Sequence, residues 1–215
     1  MSKKAVIFDL DGTLLNTGVD LANAVNFLLA KNGRQTKSVP EIVAMVGNGV
    51  RNLVSRAFGE VDGDFLDGAL ADFKGYYKEH NTDFTVEYDG VTDMLKALKD
   101  RGIKTAIVSN KYDGAVKILA QKYFPNLIGV ALGEDPSMPK KPAPDLMLKA
   151  VNELGVTVED CIYVGDSEVD ILTAKNANMP CISVSYGFKD KAFLVENGAT
   201  VICDTVPQLK DLLIK

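Results

Sequence analysis

Two rhythms of apolar residues divide the chain. Residues 4–8 (Lys-Ala-Val-Ile-Phe) run almost unbroken and include β-branched Val6 and Ile7, the pattern of a buried strand. From Asn16 the period lengthens. Leu21, Ala24, Val25, Leu28 and Leu29 recur at the three-and-four spacing of a helix face, and Asn32-Gly33 supplies a C-terminal stop. Ser38-Val-Pro-Glu41 has the form of a capping box with Pro40 in the first turn, which predicts a short helix over 41–46. Gly47-Asn48-Gly49 breaks that run. Helices are predicted next over 51–58 and 62–80, the latter with Phe65, Leu66, Leu70, Phe73 and Tyr77 as its stripe. No strand signal occurs between about 16 and 82, so this stretch reads as a helical insertion after the first strand.

After Asp89-Gly90 helix and strand alternate. Helices are predicted over 91–99, 112–123, 144–154, 168–177, 189–197 and 206–214, and strands over 103–109, 127–132, 160–165, 181–185 and 200–203. Continuous apolar strands alternating with helices imply an α/β fold: a Rossmann-like parallel sheet covered by helices on both faces. The expected division is a core of residues 1–15 and 83–215 and a helical cap of residues 16–82. Ligands of such sheets bind beyond the carboxyl ends of the strands, so the polar residues there are the ones to inspect.

The chain of 215 residues is 47% apolar, enough for one good core and a smaller appendage. A net charge of −5 and the absence of any basic run argue against a nucleic-acid partner. The first apolar run is too short for a signal peptide and leads into charged residues, and no stretch approaches a membrane span. Cys161, Cys181 and Cys203 fall in apolar strand-like runs, the expectation for reduced, buried thiols in a cytoplasmic protein.

The first strand ends in Asp9 and Asp11, with Gly12 and Thr13 after them. Two carboxylates at a strand end are costly unless a cation sits between them, and a hard ion such as Mg²⁺ takes oxygen ligands. Asp9 is a candidate nucleophile and Asp11 a candidate acid/base; a strand closed by an ordinary Asp-Gly turn would look the same. The next predicted strand ends in Ser109-Asn110, a helix cap or a donor to phosphate oxygens. Lys141 stands in Pro139-Lys140-Lys141-Pro142-Ala143-Pro144, whose prolines would hold a lysine in place; a solvated basic pair is the simpler reading. Gly165-Asp166-Ser167-Glu168-Val169-Asp170 closes a later strand, where acidic residues also dress helix N-termini. Together, an acidic pair, a hydroxyl, a lysine and a second acidic pair suit phosphoryl transfer through a carboxylate nucleophile.

In that order these segments resemble the four motifs of the haloacid dehalogenase superfamily: FDLDGT, the VSN strand end, KKPAP and GDSEVD. The likeness covers nearly the whole chain, and MVGNGVRNLV (residues 45–54) is similar to the cap loop of the phosphoglycolate phosphatases. The resemblance implies a Mg²⁺-dependent phosphatase acting on a small phosphorylated metabolite. Asp9 would carry the phosphoryl group, Asp11 would protonate the leaving alcohol and then activate water, and Thr13 would orient the intermediate. Ser109 and Lys141 would hold phosphoryl oxygens. Asp9, the main-chain carbonyl of Asp11 and Asp166 would ligate the metal, with Asp170 orienting that shell. Gly47, Asn48, Gly49 and Arg51 from the cap, with Asn110, would meet the rest of the substrate.

Phosphoglycolate is the leading substrate, with sugar phosphates, nucleotides and pyrophosphate as alternatives, and a non-catalytic phospholigand-binding module as a different class. A dehalogenase would lack Asp11. A related mutase would need a histidine early in the cap, whereas the single histidine is His80. Monomer and homodimer both fit.

Overall fold

In the computed structural model β1 (Ala5–Phe8) is buried along its whole length, as its unbroken apolar run requires. The structure describes residues 3–59 and 61–215. The chain continues through β2 (Leu15–Asn16), α1 (Gly18–Lys31), α2 (Val39–Val43), α3 (Val50–Phe58), α4 (Gly63–His80) and β3 (Val86–Glu87). Next come α5 (Val91–Asp100), β4 (Lys104–Tyr112), α6 (Asp113–Tyr123), β5 (Val130–Glu134), α7 (Asp145–Leu154) and β6 (Cys161–Gly165). α8 (Glu168–Asn176), β7 (Cys181–Val184), α9 (Lys191–Glu196), β8 (Ile202–Cys203) and α10 (Val206–Leu213) complete it.

Six strands form one sheet in the order β5-β4-β1-β6-β7-β8, with every pairing parallel. The alternation of side chains along β1 sorts the core. Val6 and Phe8 face Met94, Leu95, Leu98 and Val116 of α5 and α6, while Ala5 and Ile7 face Leu146, Met147, Ala150 and Ala174 of α7 and α8. β1 lies at the centre between β4 and β6, so whatever follows Phe8 emerges in the middle of the sheet's carboxyl edge.

The helices α1 to α4 pack around an apolar cluster of their own that includes Leu28, Val54 and Phe73, and Ala115 of α6 joins it. The helix α2 begins at Val39, directly after the N-cap Ser38 of the expected capping box, and spans 39–43 rather than 41–46, with Ser38 and Glu41 bonded reciprocally. Two features at the root of this insertion carried no strand or cap signal. β2 and β3 pair antiparallel, joining the two segments that cross between sheet and helices. Asp20 is buried yet satisfied: it accepts from Phe84 N (3.0 Å), Thr85 N (2.9 Å) and Thr85 Oγ1 (2.7 Å).

The largest departures from the expected strand boundaries are in β5 and β4. β5 begins at Val130, not residue 127, because Leu127 and Ile128 bury their side chains from the turn that Asn126 makes at φ +61°. β4 runs on to Tyr112, and its pairing with β5 shifts register between Val108 and Tyr112. Its polar end beyond Ser109, Asn110-Lys111, reads as loop because those residues lack the apolar signal of a core strand. Among the described residues no helix is long and apolar enough to cross a membrane. Cys161, Cys181 and Cys203 are free thiols; Cys161 and Cys203 are buried and Cys181 partly so.

Candidate active site

The chain leaves β1 through a tight turn. Asp9 N still donates to Val164 O of β6 (2.8 Å), and the N–H groups of Leu14 and Leu15 fold back onto Leu10 O (3.1 and 3.0 Å). Gly12 is needed here on two counts. Its φ is +81°, and a Cβ would lie 2.2 Å from Asp166 Oδ2. The turn therefore presses against the carboxylate that ends β6. Gly187 packs against both, where a Cβ would lie 2.2 Å from Gly12 O and 2.5 Å from Asp166 Cβ.

Asp9, Asp166 and Asp170 are all buried, and one oxygen from each lies within 4.8 Å of the others. Lys141 Nζ stands 3.0 Å from Asp9 Oδ1 and 2.8 Å from Asp170 Oδ1. The approach to Asp9 is an ion pair that misses the hydrogen-bond direction, so Asp9 Oδ1 has no hydrogen-bond donor. Asp166 accepts from Phe188 N (2.7 Å) and, at 3.4 Å, from Thr13 Oγ1. Asp170 is fully engaged: Oδ1 takes Lys141 and the Tyr163 hydroxyl (2.9 Å), and Oδ2 takes Ser167 N and Oγ (3.1 and 2.6 Å). It steers Lys141 rather than offering an oxygen outward.

Three carboxylates against one ammonium leave a negative excess in a place poor in water. Burial, with Asp170 and Asp11 adding to it against the pull of Lys141, pushes Asp9 up to about 7. Burial, then Asp170 and Asp9, hold Asp166 well above the usual carboxylate range. Burial works against the Lys141 ammonium, but Asp170 and Asp9 outweigh it and its pKa is raised. A donor set made only of carboxylates with such an excess is suited to a hard divalent cation.

Asp11 faces the other way. Its carboxylate accepts from Lys111 Nζ (2.8 and 3.1 Å) and from Thr17 Oγ1 (2.6 Å). The Lys111 ammonium lies 4.6 Å from the centre of the Tyr77 ring on α4. Burial opposes that charge, and Asp11 and Tyr77 more than offset it. Sequence reasoning passed over Lys111, Thr17 and Tyr163. A lysine at the end of a buried strand is the signal that could have found the first, since such a charge must be paired.

Above these residues, between sheet and insertion, is a cavity of about 420 Å³. Asp9, Asp11, Ser109, Asn110 and Asp166 line it from below, and Gly47, Gly49, Leu53, Phe73 and Tyr77 from the insertion. Ser109 Oγ accepts from Lys111 N (3.3 Å). Asn110 borders the cavity with its side-chain amide bonded to Gly47 O (3.1 Å), Lys141 O (3.0 Å) and Lys141 N (2.8 Å), so it positions the Lys141 segment. Thr13 and Lys141 lie beneath the cavity wall.

Two expected cap residues are not in that wall. Asn48 turns its carbonyl to Lys140 Nζ (3.1 Å), and Arg51 pairs with Asp67 on the exposed side of the insertion, because the first turn of α3 directs it outward. His80 pairs with Asp83 (2.8 Å) and stacks on Tyr76, apart from the cavity.

A buried acidic cluster at the carboxyl edge of a parallel sheet, roofed by an apolar-walled cavity, is the architecture of an enzyme's active site. The chain belongs to the family of haloacid dehalogenase-like hydrolases, which it matches over residues 6–184. It is 35% identical over 221 residues to phosphoglycolate phosphatase 1 of Pseudomonas aeruginosa, covering 98% of this chain and 78% of that protein. It is also 35% identical to the phosphoglycolate phosphatase of Psychrobacter arcticus, over 100% of this chain and 97% of that one. A crystal structure of a protein from Lactobacillus delbrueckii subsp. bulgaricus, provisionally described as a phosphoglycolate phosphatase, superposes with a TM-score of 0.94 at 36% identity over 99% of each chain.

Proposed function

We propose that this enzyme hydrolyses a small phosphate monoester through an aspartyl-phosphate on Asp9, with phosphoglycolate the leading substrate. The observation that carries this reading is Asp9 Oδ1: buried, without a hydrogen-bond donor, at the floor of a cavity and beside Lys141. The names of the relatives at 35% identity support the substrate.

The acidic cluster fits Mg²⁺. Side-chain oxygens of Asp9 and Asp166 and the main-chain carbonyl of Asp11 would hold it, and Asp170 is left out because its oxygens are already taken. When bound, Mg²⁺ supplies the positive charge that lets an anionic carboxylate meet an anionic phosphate. Asp9 attacks phosphorus, a new P–O bond forms, and the ester P–O bond breaks. Asp11 gives its proton to the departing alkoxide. Asp11 then takes a proton from water, which attacks the same phosphorus, releases phosphate and restores Asp9. Ser109 and Lys141 steady the phosphoryl oxygens. Asp170 and Tyr163 keep the Lys141 ammonium aimed at Asp9.

Residues 16–82 act as a cap that opens to admit substrate and closes to exclude water, against a core of residues 1–15 and 83–215. Three core donors support a closed position: Lys189 to Ala44 O (2.7 Å), Asn110 to Gly47 O (3.1 Å) and Lys140 to Asn48 O (3.1 Å). Three free thiols suit a reducing, cytoplasmic setting.

The test is phosphate release from 2-phosphoglycolate with and without Mg²⁺. The wild type turns over only with the metal, and Asp9→Asn falls by about 10⁴-fold or more. Asp9→Asn at wild-type rate would overturn the mechanism in favour of a binding module. A kinetic comparison with sugar phosphates, nucleotides and pyrophosphate checks the substrate.

A further inference from the structure

The side of the cavity next to Asp11 carries polar groups that the chemistry at Asp9 leaves unused. Lys111 is buried and lines the cavity. Lys74 and Lys78 also line it but are exposed, and the Lys189 ammonium is bound to Ala44 O. Lys111 is thus the one buried cation among the described lining residues. Its ammonium has three donors, and the oxygens of Asp11 occupy at most two. Tyr77 is 5% exposed, lines the same cavity, and its hydroxyl has no hydrogen-bond partner. A buried hydroxyl left unpaired is destabilising, so it marks where a ligand atom belongs. The neighbouring wall is apolar: Leu53, Phe73 and Ala115.

An ammonium and an unpaired hydroxyl therefore converge beside the residue that protonates the leaving oxygen. We propose that Lys111 and Tyr77 form a specificity subsite that binds an anionic group carried by the leaving alcohol next to its ester carbon, as in a phosphorylated 2-hydroxy acid. This rests on the phosphatase reading above and adds the residues that choose the leaving group. An anion entering an apolar space needs a matched charge, and Lys111 supplies it. An ester with a neutral leaving group gives the Lys111 ammonium no counter-charge to bind, and a site built to bond a group discriminates against the analogue that lacks it.

The experiment compares kcat/KM for 2-phosphoglycolate with kcat/KM for 2-hydroxyethyl phosphate, in which the carboxylate is replaced by CH₂OH. The wild type prefers the acid by about 100-fold or more. Both substrates slow in Lys111→Met because Asp11 loses a partner, but the preference itself falls by about 30-fold or more. Lys111→Arg retains part of it. Tyr77→Phe keeps the ring and the packing of α4 and lowers the preference about 5-fold, which keeps the test open if Lys111→Met does not fold.

A preference within about threefold of wild type in Lys111→Met, or in Tyr77→Phe should the lysine variant not fold, overturns the subsite and makes Lys111 a support for Asp11 only. A wild type that hydrolyses both esters without preference also overturns it, while the phosphatase reading stands. A wild type that hydrolyses neither ester defeats that reading and the subsite with it.

Discussion

Lys141 and Lys111 are both buried, both bind carboxylates, and both stand at the carboxyl edge of the sheet, yet they are held differently. The partners of Lys141 are Asp9, Asp170 and Tyr163, all from the sheet and the helix that follows β6. Those of Lys111 are Asp11, in the turn after β1, and Tyr77, on α4 of the insertion. One half of the site is complete within the sheet domain. The other is assembled across the seam, where a shift of the insertion changes it. On the reading proposed above, phosphoryl chemistry common to many substrates would belong with the first half, and selection among leaving groups with the second.

Removing the lysine of the first half is the strongest way to break this contrast. Lys141→Met leaves Asp9 and Asp170 buried without their cation, at a cost to stability of about 3–5 kcal/mol, and lowers turnover by about 10³-fold or more. Urea unfolding in EDTA and phosphate release measure the two. Turnover within tenfold of wild type would move the chemistry away from this cluster.

The acidic cluster gives the next effect. The folded-state pKa of Asp9, about 7, lies above its ordinary value of 3.8. Its contribution to stability is complete below about 4 and is lost as pH rises through about 7. In EDTA the melting temperature should fall between pH 5 and pH 8. Mg²⁺ should raise it by at least about 4 °C more at pH 8 than at pH 5, since a domain of this size moves about 2–4 °C per kcal/mol. Equal metal effects at both pH values would argue against the carboxylates as ligands.

The seam itself yields a smaller change. Lys189→Met and Lys140→Met each remove one donor to the 44–48 loop and should raise KM about 3- to 10-fold with little change in kcat. An unchanged KM in both would mean that these bonds do not hold the insertion closed. Smallest of all is Arg51→Ala, with kcat/KM within about twofold of wild type, because an exposed pair with Asp67 contributes little. A tenfold loss would show that the insertion turns Arg51 inward during turnover.

Local chemistry explains which of these residues are legible in the chain. The strand before Asp9, the Gly12 turn, the prolines around Lys141 and the acids around Asp166 each obey short-range constraints: apolar runs, positive φ, rigid flanks, helix starts. Their order along the chain is enough to associate them. Lys111 follows two polar residues and looks like loop, because the signal for β4 fades where the strand begins to serve the cavity. The same loss of signal hides β2 and β3, two residues each, and Asp20, whose partners lie more than 60 positions away.

What the sequence determined by itself was the alternation of elements, the place of the helical insertion and the set of carboxylates and lysine at the strand ends, because periodicity and turn chemistry act over a few residues. Only the tertiary structure decided which lysine faces which aspartate, that Asn110 holds the main chain of Gly47 and Lys141 while Asp170 engages Lys141, Tyr163 and Ser167, that Arg51 faces solvent, and that Tyr77 meets Lys111. Those outcomes depend on distances between residues remote in sequence, set by how the helices settle on the sheet, and no local pattern encodes them.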